Sequence, residues 1–303
     1  MYPHRQPHRQ SKNQLQSMLH KCLSNLNISR TNVLNTRIQN IIQGELCVAD
    51  KLRQIYTVIQ PYTRKLSADR QVYICDKINT YLSSQDGKSL LPISNNTRIL
   101  DIGGGIGNIL SFLGKTYEIP KENLVCLENK SNFETGAFYR EEDLHQNISY
   151  TFWETLSEQQ KTDFVGKFDI IICMVSIHHM TTKFIHNILF PSIKQWSTSD
   201  AKLLVKEHDV DSTDTELAVN WEHHMYHLFE TPQLDAETYL HSSIFNYTSA
   251  NELQTMIRTE LNGMCIRTFN NKFEVEHTSF SNITPTKLYW NLYDLGPRPQ
   301  CPP

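Results

Sequence analysis

The segment from Thr97 to Leu110, TRILDIGGGIGNIL, does more than any other to limit what this chain can fold into. An apolar run ends in Asp101, glycines follow at 103, 104, 105 and 107, and a helix-like stretch runs on through Leu113. That order reads as strand, tight turn, helix. Glycine lets a backbone turn sharply and approach a ligand with no Cβ in the way. In open α/β sheets the ligand lies beyond the carboxyl ends of the strands, where the strand order reverses.

The rest of the chain fits such a sheet. Short apolar runs at Thr97–Ile102, Asn123–Leu127, Ile148–Phe152, Phe168–Val175 and Lys202–Lys206 read as strands, and Phe184–Trp196 reads as a helix. Strands alternating with helices point to βαβ units and a mainly parallel sheet. Thr248-Ser-Ala-Asn-Glu252 has the form of a capped helix start. Two final strands are expected near Met264–Phe269 and Thr286–Leu292. The expected fold is therefore α/β, a doubly wound, mainly parallel seven-stranded sheet with helices on both faces.

A helical N-terminal extension precedes it. Residues 1–13 repeat PHRQ and hold nothing that could build a core, so they read as a disordered basic arm. Residues 14–94 carry apolar positions at helical spacing, such as Leu15, Met18, Leu19 and Cys22, then Val72, Cys75, Ile78 and Leu82. The α/β domain is expected over 95–293, with a tail over 294–303. The first 44 residues hold six basic residues and no acid; against a whole-chain charge of −3, the remainder carries −9. A basic arm on an acidic body is suited to contact nucleic acid, and equally reads as a tail with no partner. Seven dispersed cysteines without a C-x-x-C pair read as reduced thiols, and no apolar run is long enough to span a bilayer. A soluble cytoplasmic or nuclear protein is expected.

Spacing separates two readings of the glycine turn. The dinucleotide pattern G-x-G-x-x-G begun at Gly103 needs glycine at 108, where Asn108 stands, which disfavours a nicotinamide-dependent oxidoreductase. The pattern D-x-G-x-G-x-G fits Asp101, Gly103, Gly105 and Gly107. It resembles motif I of class I, Rossmann-like methyltransferases that use S-adenosyl-L-methionine. The resemblance covers about residues 95–293. It implies that Asp101 and these glycines bind the cofactor, that Glu128 at the end of the second strand holds the ribose hydroxyls, and that Glu154 after the third accepts from the adenine amino group. Trp153 reads either as an adenine-flanking ring or as plain core.

The fourth strand runs into Ser176-Ile-His178-His179. It has neither the Asn-Pro-Pro-Tyr run of amino-group methylation nor the aspartate of ribose 2′-O enzymes. Cys173-x-x-x-x-His178 resembles the guanine-N7 methyltransferases of messenger-RNA caps, and His-His also ends this strand in many small-molecule methyltransferases. Cap enzymes carry Cys and Lys within the glycine turn, where this chain has Gly104 and Ile106. Lys206-Glu207-His208-Asp209 is similar to a run in methyltransferases of large DNA viruses.

Imidazole can move a proton near neutral pH, bond a base edge or ligate a metal. His178 and His208 are the candidate catalytic groups, and His179, His223 and Tyr226 the candidate substrate contacts. Asp209 or Glu222 could orient a catalytic imidazole. Zinc on His223 and His227 would need further ligands, and neither a cysteine pair nor His-Glu-x-x-His supplies them, so no metal is expected. Tyr62, Arg64 and Arg70 stand where the resembling enzymes bring a side chain to the cofactor carboxylate; a surface position explains each as well. The expected activity is methyl transfer to RNA, including cap guanine, or to a small molecule. The alternative is an inactive cofactor-binding subunit that serves as a binding or regulatory module.

Overall fold

The computed structural model describes residues 90–91, 93–130, 147–212, 245–270 and 288–296, together with 216, 219 and scattered positions between 36 and 58. The chain divides into two compact units. One comprises 71–207, 249–270 and 288–303; the other comprises 1–70, 208–248 and 271–287.

The first unit carries a seven-stranded sheet: β1 (Ile99–Ile102), β2 (Leu124–Glu128), β3 (Ser149–Phe152), β4 (Phe168–Met174), β5 (Ser197–His208), β6 (Met264–Asn270) and β7 (Leu288–Asp294). Its order is β3-β2-β1-β4-β5-β7-β6. The β3–β2, β2–β1, β1–β4 and β4–β5 pairs are parallel, and β6 pairs with β7 antiparallel. The chain leaves β1 for β2 and β3, then crosses back to lay β4 on the other side of β1. The switch point of the winding is therefore between β1 and β4, and their carboxyl ends frame the crevice where ligands bind in such sheets.

Side-chain alternation splits the core in two. Leu100, Ile102, Ile171, Cys173, Leu203 and Val205 face one side. There they meet Phe164 of α2 (Glu158–Phe164), Phe190, Ile193 and Trp196 of α3 (Phe190–Trp196), and Leu253, Met256, Ile257 and Leu261 of α4 (Ala250–Leu261). Ile99, Ile170, Ile172 and Leu204 face the other side, against Leu110 and Leu113 of α1 (Asn108–Tyr117). Phe168 shares a face with Ile171 because the β4–β5 register shifts between Phe168 and Ile170. Without that bulge a period of two would set it on the opposite face.

Local signals explain the helix boundaries. Ser249 caps α4 and Glu252 reaches back to the Ser249 amide, a complete capping box, as the sequence suggests. Ser157 and Gln160 do the same for α2, a helix the periodicity did not reveal because it is only seven residues long. A π-helical turn, Ile185–Leu189, leads into α3, where Pro191 cannot donate the backbone bond a regular helix needs. β5 extends well beyond the expected Lys202–Lys206, and β7 begins and ends two residues later than expected.

In the second unit Val210, Val219 and Tyr247 form a small buried cluster, with Phe245 stacked on Tyr247 at 5.6 Å. The basic arm lies outside the described residues, and of the helical extension only scattered positions, such as Lys51 and Val58, fall within them. No helix among the described residues is long and apolar enough to cross a membrane.

Trp196 joins the parts of one core face: it stacks on Trp153 after β3 at 5.9 Å and meets Phe164 of α2 edge-on at 5.4 Å. Trp196→Ala is expected to cost about 3–5 kcal/mol of stability, measured by urea unfolding; a loss below about 1 kcal/mol would mean that this face collapses around the gap.

Candidate functional site

The glycine turn stands at the switch point. Gly103 has φ +70°, donates its N–H to the Leu127 carbonyl at 2.8 Å, and a Cβ on it would run into the Ser176 side chain after β4. The Ser176 hydroxyl in turn donates to the Ile102 carbonyl at 3.0 Å. The turn and the end of β4 are thus in contact. Gly105 differs: its φ is +57°, and a Cβ there would meet nothing within 4 Å. The bend is open to space at its middle. Gly107 is the N-cap of α1, and a Cβ there would strike Ile148 and Tyr150, so this glycine serves helix–sheet packing.

Two carboxylates flank the turn. Glu128, at the end of β2, is buried; its Oε2 accepts from the Gly105 N–H at 2.8 Å and its Oε1 from the Asn129 N–H at 2.7 Å. A carboxylate has about four acceptor positions, more than these two amides fill. Asp101 is fully buried, and neither of its oxygens has a hydrogen-bond partner. A Cβ on Gly104 would lie 2.5 Å from Asp101 Oδ2 and 3.0 Å from Cys126 Sγ, so the carboxyl is covered by bare glycine backbone. Burial, and secondarily the charge on Glu128, push the Asp101 carboxyl up to about 8.

A second group forms where β4 and β5 end. Val175 has φ +53°, strained for a β-branched residue, and its N–H donates to the Lys206 carbonyl at 2.7 Å. The chain then enters a 3₁₀ turn, Ile177–His179. Glu207 gathers that turn: Oε1 accepts from the Ser176 N–H at 2.9 Å and the Ile177 N–H at 2.7 Å, and Oε2 lies 2.6 Å from His178 Nδ1. Both side chains are buried. With Nδ1–H donated to the carboxylate, the neutral imidazole carries its lone pair on Nε2, the form a general base needs. Burial is the main cause that raises the Cys173 thiol, on the same strand, well above its usual range, followed by Asp101 and Glu207, so it stays protonated.

The sequence-derived candidates are distributed as follows. Asp101, Gly103, Gly105, Glu128 and His178 come together around the switch point. Glu154 is exposed, its Oε2 accepting from the Lys130 N–H at 3.1 Å just past β2. Trp153 is partly buried and packs against Phe184 and Trp196 at the margin of the core. His179 is exposed, its ring 4.2 Å from that of His178. His208 is buried and meets the Tyr247 ring edge-on at 6.3 Å within the second unit. His223 and Tyr226, with Glu222, His227, Tyr62, Arg64 and Arg70, lie outside the described residues. Sequence reasoning passed over two residues. Glu207 binds His178, and its only signal was an acid at the end of a strand; Glu222, one of the two candidate partners, lies outside the described residues. Gly104 is not part of the D-x-G-x-G-x-G spacing, yet it is the residue that covers Asp101.

Fold and site together define an open, doubly wound α/β protein whose candidate site lies at the β1/β4 switch. No family model matches the chain, and no curated protein does. Solved structures with a similar course include a geranyl diphosphate methyltransferase in complex with S-adenosylmethionine, at 8% identity over 79% of this chain and 90% of that one, TM-score 0.49. Another is the geranyl diphosphate C-methyltransferase of Streptomyces coelicolor, at 10% identity over 80% and 85%, TM-score 0.48. A third is phosphoethanolamine N-methyltransferase 2 of Haemonchus contortus, at 12% identity over 69% of this chain and 50% of that one, TM-score 0.43. These are loose likenesses of shape, and no role or substrate is carried over from them.

The raised Asp101 carboxyl has a sign that can be measured. The folded state holds this proton more tightly than the unfolded chain, so its stabilising contribution is full below the ordinary carboxylate range. It is lost as pH rises from about 4 to about 8. Thermal unfolding of the wild type should therefore lose ground to Asp101→Asn across that window; parallel curves would show that the group titrates normally. Glu207→Gln tests the other cluster. The amide keeps its oxygen for the two N–H groups but turns an N–H toward His178, moving the imidazole proton to Nε2, which nitrogen-15 NMR reads directly.

Proposed function

We propose that this chain is a methyltransferase that uses S-adenosyl-L-methionine. The observation that carries the reading is the pairing of Glu128 with Gly105: a buried carboxylate on the neighbouring strand reaches the one point of the glycine turn that opens to space. That arrangement suits a ribose. The carboxylate accepts from vicinal hydroxyls, and the bare turn allows the sugar and its 5′ substituent to approach the backbone. With Asn108 in place of the dinucleotide glycine, the turn lacks the G-x-G-x-x-G spacing that seats a pyrophosphate. An orphaned buried carboxyl at Asp101 favours a ligand that carries positive charge. The residues thus fit an adenosyl sulfonium, with Asp101, Gly103, Gly104, Gly105 and Glu128 as its holders and Glu154 at the outer end.

When bound, that group supplies an electrophilic methyl carbon and a neutral leaving group. The chain's task is then alignment, since an in-line displacement gains most from holding the reacting atoms in register. Ser176 and His178 follow β4, beside the turn, on a segment that Glu207 fixes. His178, with Glu207 as its positioning residue, is the base for an acceptor that must lose a proton, such as a hydroxyl. A neutral ring nitrogen would not call on it. The acceptor is a small molecule or an RNA, and the basic residues 1–44 are the segment suited to the latter.

Calorimetry should find S-adenosylmethionine bound by the wild type, and Glu128→Ala should weaken that binding by about 1–3 kcal/mol through the lost charge-assisted bonds. An unchanged dissociation constant would remove Glu128 from the site. Transfer of labelled methyl to a panel of capped RNA, uncapped RNA and metabolite extracts then identifies the acceptor. Binding with no turnover on any of them would favour a regulatory subunit instead.

A further inference from the structure

Asp101 is, among the described residues, the only carboxylate buried with both oxygens lacking a hydrogen-bond partner. A buried acid without donors is costly as an anion and tolerable as a neutral acid. The ionisable groups whose interaction with it is evident are Glu128 on β2, whose charge raises it, and Cys173 on β4, whose thiol its own charge raises. Neither can supply a positive charge. It nonetheless lies against the glycine turn: a Cβ on Gly104 would sit 2.5 Å from its Oδ2, and the next residue, Gly105, is where a Cβ would meet nothing within 4 Å.

We propose that Asp101 couples ligand charge to a proton: the carboxyl is a neutral acid in the free protein and releases its proton to solvent when an organic cation occupies the glycine turn. This rests on the reading given under Proposed function and deepens it. The charge balance is simple. One proton leaves for each cation that arrives, so the buried site exchanges one positive charge for another and Asp101 becomes a carboxylate only when its counter-charge is present. The elevation of the carboxyl toward 8 by burial and by Glu128 puts that exchange in the physiological range. Two groups of S-adenosylmethionine are cationic, the sulfonium and the α-ammonium, and its demethylated product keeps only the second. If the sulfonium is the partner, proton release makes the site favour cofactor over spent product, with Asp101 as the discriminating residue.

The test is titration calorimetry of the full chain with S-adenosylmethionine and with S-adenosylhomocysteine, near pH 7, in two buffers of different ionisation enthalpy. The wild type should release close to one proton per S-adenosylmethionine bound. Its affinity should rise by up to about tenfold per pH unit between about pH 6 and 8. Asp101→Asn should release none, and its pH profile subtracts any titration of the ligand's own groups. Release with S-adenosylmethionine alone supports the proposal with the sulfonium as partner; release with both ligands supports it with the ammonium. Binding of either ligand with no buffer-dependent enthalpy and a pH-independent affinity overturns it while leaving the cofactor assignment intact. Failure of both to bind at any pH overturns the cofactor assignment and the proposal with it. Should Asp101→Asn not fold, the wild-type buffer dependence decides alone.

Discussion

The carboxylate of Glu207 holds the ends of three strands in one place. It sits at the end of β5, takes the two backbone amides that follow β4, and through them sets Ser176 against Gly103 at the end of β1. Each unpaired buried amide would cost about 1–3 kcal/mol, so the turn has one arrangement that satisfies its donors. The strain at Val175, with φ +53°, is sustained by that closure. The same carboxylate then has an oxygen left to fix the imidazole of His178. One side chain therefore shapes the crevice and orients its most reactive neighbour.

Across the crevice the electrostatics run the other way. Glu207 is satisfied by the donors around it, and Glu128 by the amides of Gly105 and Asn129. Asp101 has none of these partners. A fold that gives two buried acids backbone donors and leaves a third without any, under the backbone of Gly104, has placed an unmet electrostatic demand beside the glycine turn. Such a demand lowers the stability of the free protein at alkaline pH and is met when a cation binds. Stability and ligand preference are then two aspects of one buried group.

Much of this was legible in the residues. The strand–glycine–helix order, the acid closing β2, and the alternation of short apolar runs all follow from local physical rules, and the sheet was foreseeable from them. Glu128 was legible because its position relative to the glycine turn is set by one βαβ unit. Glu207 was not, since its contact with His178 spans 29 residues and depends on β5 lying beside β4. Trp153 illustrates the opposite limit: its type and position suited a ring stacked on a base, while Phe184 and Trp196 pack it at the margin of the core.

The sequence by itself determined the periodicities, the turn chemistry and the order of elements, because each depends on residues within a few positions of one another. It also determined that Gly103 and Gly105 could take left-handed backbone. Only the tertiary structure decided that a Cβ at one of them would strike Ser176 and at the other would meet nothing, and that Asp101 would be sealed without a donor. Those outcomes depend on which strands become neighbours, and burial and charge are properties of what surrounds a residue, not of the residue itself.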